Sequence, residues 1–243
     1  MSCVLIIGAK SDIAKEVARE YAKNGYDLYL AGRNIDEMKD FENDIKIRSK
    51  ADVKLKEFDI TNFESHEQFY NSLEPKPLGV IVVAGYMAEQ KTCENDWSET
   101  LNTINVNFTG AVSILNIISN DMEQNKNGFI VGVSSVAGDR GRKANYIYGS
   151  SKAAFSAYLS GLRNRLHESG VKVLTVKPGF VATKMTAKLD LPTKLTAQPE
   201  DVAKDIFTAQ QKGKDILYTK PIWRVIMMII KIIPEWKFKG MSI

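Results

Sequence analysis

The sequence is poor in cysteine and histidine, with two of each among its 243 residues. Cys3 and Cys93 lie far apart, which excludes a disulfide framework and a CxxC motif and fits a reducing cytoplasm. His66 and His167 are also far apart, and neither sits near a second likely ligand. We therefore expect no metal site in this chain.

A recognisable targeting segment and a basic stripe are lacking as well. Met1 leads directly into the apolar run Cys3–Ile7, without the basic region and cleavage site of a signal peptide. The net charge of +4 comes from the C-terminus, where seven basic and two acidic residues follow from Lys212 onward. We expect a cytoplasmic protein that binds no nucleic acid, with the inner face of the membrane as an alternative location.

Repeats, low-complexity tracts and linkers do not occur, and short apolar runs alternate with amphipathic stretches. The apolar runs predict strands at residues 4–7, 27–31, 53–58, 78–83, 129–133, 171–176 and 216–218. The amphipathic stretches predict helices at residues 12–24, 35–47, 97–118, 148–169 and 201–211.

Apolar strands separated by helices indicate parallel βαβ units, because such strands are buried on both faces of a sheet. The pattern predicts a single-domain α/β protein with a doubly wound parallel sheet, the Rossmann fold. We expect the catalytic domain to span residues 1–219 and a basic, apolar extension to span residues 220–243. Ligands of such sheets bind beyond the carboxyl ends of the strands, so the loops that follow the strands are the places to search.

Two of these loops suggest dinucleotide binding. Gly8 follows the first strand and leads into a helix whose free N–H groups suit a pyrophosphate, although such a junction is common in α/β proteins. Arg33 follows the second strand, where an arginine accommodates a ribose 2′-phosphate and an acidic residue would bind the free hydroxyl. Arg33 therefore favours NADP(H) over NAD(H), with a solvated loop arginine as the alternative.

Acid–base chemistry is indicated by Tyr148 and Lys152, which lie four residues apart on one face of a predicted helix. Tyrosine, with a reference pKa of about 10, is a poor base at neutral pH, and a neighbouring ammonium favours the phenolate. Ser135 ends the fifth predicted strand, where its hydroxyl can hold a substrate oxygen. A Tyr-x-x-x-Lys pair is expected by chance in a chain with this many tyrosines and lysines, so its weight comes from the coincidence with Ser135 and the cofactor loops.

Seven segments in order resemble the short-chain dehydrogenase/reductase family, and the likeness extends over residues 2–218. The segments are residues 8–14, Asp59, and residues 82–85, 106–110, 133–138, 148–152 and 178–183. This resemblance implies a catalytic tetrad of Asn107, Ser135, Tyr148 and Lys152, and a homodimer or homotetramer. The cofactor-binding residues expected from the loops and the resemblance are Gly8, Lys10, Ser11, Ile13, Arg33, Asp59, Ile60, Ala84, Gly85, Tyr148, Lys152, Pro178, Gly179, Val181 and Thr183.

The family likeness also implies a role for each member of the tetrad. Tyr148 would exchange a proton with the substrate oxygen, and Ser135 would orient and polarise that oxygen. Lys152 would lower the pKa of Tyr148 and hold the nicotinamide ribose. Asn107 would anchor a water that relays protons to Lys152.

The sequence departs from the family pattern at two places. Asp12 and Ala14 replace glycines of the Gly-rich loop, and Val82 and Val83 replace asparagines beside the adenine. An acidic side chain near a pyrophosphate is unfavourable unless Asp12 turns away to cap the helix. None of these changes removes a residue of the tetrad.

Within the family, the chain is similar to the keto-reductases that form half of the decaprenylphosphoryl-ribose 2′-epimerases. The shared features are an acidic residue in the Gly-rich loop, the run at residues 138–143 and a basic, apolar C-terminus. This likeness implies reduction of a 2-keto furanose on a polyprenyl phosphate. Arg140, Arg142 and Lys143 could then engage an anionic group such as phosphate, with a solvated basic loop as an equal alternative.

Residues 222–233 are almost wholly apolar and end at Pro234. Such a segment is too short for a membrane-spanning helix, which needs about twenty residues. Lys220, Arg224 and Lys231 fall on one stripe at helical spacing, so the segment suits a helix that lies in a membrane interface through residues 220–239. Cover for a hydrophobic substrate tail, a subunit interface and a closing helix on the core remain alternatives.

The leading hypothesis is an NAD(P)H-dependent oxidoreductase that reduces a ketone to a secondary alcohol. Its substrate would be a small-molecule or lipid-linked carbonyl compound, with a keto-sugar on a lipid phosphate as the specific form. A generic carbonyl or 3-oxoacyl reductase is the alternative within the same chemistry. A non-catalytic NADP(H)-sensing protein is the third hypothesis, and the intact set of Ser135, Tyr148 and Lys152 argues against it.

Overall fold

A computed structural model describes residues 2–187 and 190–241. Met1 of the predicted catalytic domain and residues 242–243 of the predicted extension lie outside the described residues. Residues 188–189 lie outside them as well. The strands of the main sheet are β1 (Cys3–Ile7), β2 (Asp27–Gly32), β3 (Val53–Glu57), β4 (Gly79–Val82), β5 (Phe129–Val133), β6 (Lys172–Pro178) and β9 (Ile216–Thr219). They pair in parallel in the order β3-β2-β1-β4-β5-β6-β9, as predicted for a doubly wound sheet.

Helices connect these strands and cover both faces of the sheet. They are α1 (Asp12–Lys23), α2 (Lys39–Ser49), α3 (His66–Asn71), α4 (Gln90–Asn95), α5 (Trp97–Ile104), α6 (Gly110–Asn125), α7 (Tyr146–Arg165), α8 (Pro199–Gln211), α9 (Ile222–Ile232) and α10 (Glu235–Phe238). A short parallel pair, β7 (Phe180–Val181) with β8 (Thr196–Ala197), lies beyond the end of β6.

The alternation of side chains along β1 divides the core into two layers, because successive residues of a strand point to opposite faces. Val4 and Ile6 belong to the layer that contains the buried faces of α1, α2 and α8. Leu5 and Ile7 belong to the layer that contains residues of α3, α6 and α7. All four side chains are almost completely buried, which explains why the run is apolar without alternation.

Three predictions of secondary structure needed correction. Helices α3 and α4 were not predicted, since each has only six residues and shows too few turns for a helical period. The predicted helix at 97–118 continues to Asn125, with a π-helical turn at Asn105–Thr109 between α5 and α6. Helix α7 begins at Tyr146, so Tyr148 lies inside its first turn and does not start it.

The helical run Trp97–Asn125 is long and apolar enough, by length and composition, to cross a membrane. Its apolar side faces the core, however, because Ile114, Leu115 and Ile118 are completely buried against the sheet. This run is therefore explained as a core helix of the α/β fold.

The C-terminal segment packs against the end of the domain through a small cluster of its own. Trp223, Met227 and Ile230 on the inner side of α9 contact Val136, which follows β5. The rings of Phe180 and Trp223 meet edge to face, with centroids 5.2 Å apart. Helix α9 is thus attached beside the carboxyl ends of β5 and β6.

Candidate active site

Two adjoining cavities lie at the carboxyl ends of the central strands. The first has a volume of about 320 Å³ and a largely apolar lining, and the second has a volume of about 520 Å³. They share Lys10, Ser11, Val83 and Gly85, so they form one elongated crevice across the sheet edge. This is the position that the parallel topology predicts for a ligand.

Most of the predicted site residues line this crevice. The first cavity contains Lys10, Ser11, Ile13, Gly85, Ser135, Tyr148, Lys152, Pro178, Gly179, Val181 and Thr183. The second cavity contains Gly8, Lys10, Ser11, Arg33, Asp59, Ile60, Ala84 and Gly85. Asn107 lines neither cavity and lies behind Gly85.

Asn107 and Lys152 approach each other at the floor of the crevice. The amide of Asn107 donates to the carbonyl of Tyr86 at 2.7 Å and accepts from the Tyr86 N–H at 3.0 Å. A Cβ at Gly85 would lie 3.4 Å from Asn107 Oδ1 and 3.5 Å from Lys152 Nζ. The missing side chain at Gly85 therefore leaves these two polar groups accessible from the crevice.

Tyr148 and Lys152 are placed by the first turns of α7, and Ser135 by the end of β5. Lys152 is only 3% exposed, and its Nζ donates to the carbonyl of Val133 at 3.1 Å. The hydroxyl of Ser134, next to Ser135, is engaged inside the fold, where it donates to the Lys152 carbonyl at 2.9 Å. Both serines line the cavity, and the Ser135 side chain accepts a hydrogen bond from the Ala137 N–H at 3.1 Å.

The electrostatics of this group are dominated by burial. Burial raises the pKa of Tyr148 to about 12, although a hydrogen bond with Ser135 lowers it in part. Burial also lowers the pKa of Lys152 to about 8, because the charged ammonium is the form that desolvation disfavours. The pKa of Tyr148 is thus raised in this structure, whereas the sequence predicts that Lys152 lowers it. A phenol that stays protonated is suited to donate a proton to an incoming oxygen.

The Gly-rich loop forms the wall shared by both cavities. Gly8 has φ of +84°, and a Cβ there would lie 2.5 Å from the Ala84 nitrogen, so the turn requires glycine. Ser11 caps α1 by accepting a hydrogen bond from the Ala14 N–H at 3.2 Å. Ser11, and not Asp12, is therefore the cap of this helix. The carboxylate of Asp12 instead accepts from the backbone N–H of Lys184 at 2.8 Å.

The far end of the second cavity carries Arg33 and Asp59. The carboxylate of Asp59 accepts from the N–H and hydroxyl of Thr61, at 2.9 and 2.7 Å. Although burial raises the pKa of Asp59, the Thr61 hydrogen bonds and the charge of Arg33 lower it below its ordinary value. Lys10, at the edge of the cavity, forms an ion pair with the carboxylate of Glu37, with 2.6 Å between Nζ and Oε2. Two cations therefore stand near this end, of which Lys10 has an acidic partner.

The segment after β6 closes the other side of the crevice. Thr183 caps the turn at Lys184–Thr186 in a capping box. The indole of Trp223 from α9 rests directly on Gly179, where a Cβ would overlap the indole nitrogen. The Trp223 N–H donates to the Leu195 carbonyl at 3.1 Å, so this segment is also joined to the chain before β8.

The three basic residues expected to meet an anionic group separate in the structure. Arg140 turns away from the cavity and donates to the carbonyls of Ile230 and Ile233, both at 2.6 Å, which caps the end of α9. Lys143 is exposed and lines neither cavity. Arg142 lines the first cavity; its Nε is buried without a hydrogen-bond partner. Sequence reasoning could not separate these three residues, because only their fold positions do so.

The crevice fits an extended dinucleotide. The N-terminus of α1 opens between the cavities, with a glycine turn that lets a pyrophosphate approach the backbone N–H groups. Arg33 stands at one end, where a ribose phosphate could be held, and the buried Lys152 stands at the other. Among the described residues, groups of three His, Cys, Asp or Glu side chains suited to a metal ion do not occur.

Comparison with known proteins places the chain in a family. A family model described as short chain dehydrogenase matches residues 2–193. An uncharacterised oxidoreductase of Mycobacterium tuberculosis is 33% identical over 241 residues, which cover 98% of this chain and 96% of the relative. The similarity thus includes the C-terminal extension.

Solved structures share the fold at low sequence identity. A short-chain dehydrogenase from Sphingobium yanoikuyae in complex with NADPH has a TM-score of 0.83 at 20% identity, covering 97% of each chain. A 3-oxoacyl-[acyl-carrier protein] reductase from Brucella melitensis has a TM-score of 0.78 at 18% identity, covering 89% of each chain. Taken with the family match, these likenesses lead to one conclusion: the chain belongs to the short-chain dehydrogenase/reductase family and is an oxidoreductase.

Proposed function

We propose that this oxidoreductase uses NADPH to reduce a ketone to a secondary alcohol. The observation that carries the proposal is the position of the Tyr148 phenol, which lines an apolar cavity beside Ser135 and the buried Lys152. That cavity continues into one suited to a dinucleotide. A proton donor and a hydride source would therefore meet at one carbonyl group.

The residues of the chain divide the work as follows. Ser135 holds the ketone oxygen, and Tyr148 donates its proton to that oxygen as negative charge develops on it. When bound in the crevice, NADPH would supply the hydride for the carbonyl carbon. Lys152 holds the nicotinamide ribose and stabilises the phenolate that Tyr148 leaves behind. Asn107, held by Tyr86, anchors a water from which the proton is replaced.

The preference for NADP(H) over NAD(H) is proposed from the cations at the adenosine end. Arg33 is exposed at the edge of the second cavity and has the geometry for charge-assisted hydrogen bonds to a phosphate. Lys10 lies on the same cavity and is partly neutralised by Glu37. The acidic side chain that would bind a free ribose hydroxyl does not occupy the position after β2.

For the substrate, we propose a ketone that carries an anionic group, with a keto-sugar on a lipid phosphate as the specific form. Arg142 supports this choice, since its guanidinium reaches the cavity while its Nε lacks a partner. The apolar side chains of Val136, Phe180 and Met185 line the same cavity and suit a hydrocarbon portion. A 3-oxoacyl thioester would use the apolar lining equally well but leaves Arg142 unexplained.

The test is a substrate comparison with the purified protein. NADPH consumption would be followed with a keto-sugar on a short prenyl phosphate, a 3-oxoacyl thioester and a neutral small ketone, and the alcohol product identified by mass spectrometry. We expect the highest kcat/KM for the phosphorylated ketone. A higher value for the thioester would favour the alternative, and binding of NADPH without turnover of any ketone would favour a sensing role.

A further inference from the structure

Helix α9 is apolar on two opposite sides. Its inner side, with Trp223, Met227 and Ile230, is buried against the domain. Its outer side exposes five large apolar side chains at helical spacing, namely Ile222, Val225, Met228, Ile229 and Ile232. Helix α10 adds Trp236, which is 75% exposed. We call these six side chains the outer apolar surface.

A core-covering helix needs only one apolar side, so the outer apolar surface requires a separate explanation. Scattered exposed apolar residues are normal, but a contiguous apolar patch marks an interaction site. Ile232 is 73% exposed, and neighbouring turns of the helix repeat the same exposure. Burial within this domain therefore does not account for these residues.

Basic side chains border this surface. Arg224 and Lys231 lie seven residues apart and form one edge of α9, and Lys237 and Lys239 follow on and after α10. All four are exposed. The acidic residue in this region, Glu235, is paired with Arg140 at 2.8 Å. The border of the surface is therefore positively charged.

The surface is held rigidly on the domain. Arg140 caps the end of α9, and its guanidinium stacks on the ring of Phe238 in α10 at 3.7 Å. Trp223 rests on Gly179 at the other end of α9. These contacts fix the direction of the outer side, so the helix presents its apolar residues without further folding.

We propose that the outer apolar surface docks the protein on an anionic lipid bilayer, with α9 lying in the plane of the membrane interface. The eleven residues of α9 are too few to span a bilayer, which needs about twenty. An exposed apolar face with a cationic border is the arrangement that binds at the boundary between head groups and acyl chains. Trp236 suits the same depth, because its ring is apolar and its N–H is polar.

Charge favours the lipid surface over a second copy of this chain. Two copies paired through α9 would bring like-charged borders together, whereas anionic head groups neutralise them. Docking would also place the substrate cavity close to the membrane, since Met227 on the inner side of α9 contacts Arg142 of the cavity wall at 3.1 Å. The docking proposal does not depend on the identity of the substrate.

The test is co-sedimentation of the full-length protein with vesicles of phosphatidylcholine alone or mixed with phosphatidylglycerol. Wild-type protein is expected to sediment with the anionic vesicles and weakly with the neutral ones. Ile232→Glu should abolish this binding. Ile47→Glu is the matched control, because Ile47 is 83% exposed on α2, away from the surface, and should leave binding unchanged.

The cationic border is tested by Lys237→Gln with Lys239→Gln. Each cation near an anionic membrane strengthens binding about fivefold, so the double variant should bind about 25-fold more weakly. Circular dichroism and thermal unfolding would establish that each variant is folded. The proposal is overturned if Ile232→Glu and Ile47→Glu bind alike, or if neutral vesicles bind equally well. It is also overturned if the protein binds no vesicles and Ile232→Glu converts a dimer to a monomer.

Discussion

The carboxylate of Asp12, in the Gly-rich loop, accepts a hydrogen bond from the backbone N–H of Lys184, 172 residues later in the chain, at 2.8 Å. This bond ties the start of α1 to the segment after β6, on opposite sides of the proposed cofactor crevice. It explains how an acidic residue is accommodated where the family has glycine. The carboxylate is engaged by a backbone donor, and the crevice keeps a defined width.

The first prediction separates the charge of Asp12 from its hydrogen bond. Asp12→Asn keeps an acceptor for Lys184 and removes a negative charge near the pyrophosphate position, so the KM for NADPH should fall. Asp12→Ala removes the bond as well, which loses about 1 kcal/mol of loop anchoring, and the KM should rise several-fold. Steady-state kinetics of both variants provide the measurement. Equal KM values in the two variants would show that the bond to Lys184 does not shape the crevice.

The second prediction concerns the proton donor. Tyr148→Phe should reduce kcat by about a thousandfold, because loss of a positioned acid costs roughly two to four orders of magnitude. NADPH binding, followed by fluorescence titration, should stay near the wild-type value. Tyr146→Phe, two residues earlier on the exposed side of α7, is the control and should remain active. Wild-type turnover in Tyr148→Phe would remove the assignment.

The third prediction is a pH dependence of stability caused by Lys152. Its pKa is lowered from 10.5 to about 8 by burial, so between these values the unfolded chain binds more protons than the folded one. The free energy of unfolding is therefore highest above pH 10.5, where Lys152 is neutral in both states, and it decreases as the pH falls to about 8. The full change is about 3 kcal/mol.

Urea unfolding of wild-type protein and of Lys152→Met, at both ends of this window, measures the effect. The wild-type protein should gain stability relative to Lys152→Met as the pH rises, since methionine does not titrate. Tyr148 is present in both proteins, so its own ionisation at higher pH affects both alike. A pH-independent difference between the two proteins would mean that the pKa of Lys152 is unchanged by folding.

The fourth prediction tests the preference for NADPH. Arg33→Ala should raise the KM for NADPH about tenfold or more, because a charge-assisted hydrogen bond to phosphate contributes roughly 1.5–3 kcal/mol. The KM for NADH should change little. Arg48→Ala, an exposed arginine on α2 paired with Asp44, serves as the control. Similar increases for both cofactors would contradict a role for Arg33 at the 2′-phosphate.

The fifth prediction concerns the anionic part of the substrate. Arg142→Met keeps an extended apolar side chain in the cavity and removes the guanidinium, so the KM for phosphorylated ketones should rise about tenfold or more. Neutral ketones should be reduced at the wild-type rate or faster. Lys143→Met, at the exposed neighbouring basic residue, should have no effect on either class. A loss of activity that is equal for charged and neutral ketones would indicate a structural role for Arg142.

The sheet and most of the candidate site were predictable from the sequence because their signals are local. The uninterrupted apolar run of β1 requires burial on both faces, and a glycine with positive φ after it marks the turn at Gly8. Tyr148 and Lys152 share a helix face whatever the rest of the fold does. The doubly wound order then brings Ser135 and the cofactor loops to the same edge.

What the sequence could not reveal depends on contacts between distant segments. Arg140 and Arg142 look equivalent in the sequence, yet one caps α9 and the other lines the cavity. The burial that raises the pKa of Tyr148 comes from the assembled cavity, so the pKa is raised where the sequence predicts that Lys152 lowers it. Asp12 had a plausible local partner at the helix start, but its actual partner, Lys184, lies across the crevice.

The contact between the Trp223 indole and Gly179 has a practical consequence for truncation of this protein at its C-terminus. Cutting the chain before α9 would remove the indole that packs behind Gly179 and Phe180, two residues that line the first cavity. The cavity of the shortened enzyme would then lack the support that fixes this part of its lining. Substrate profiles collected on such a trimmed version would describe an artefact of the cut.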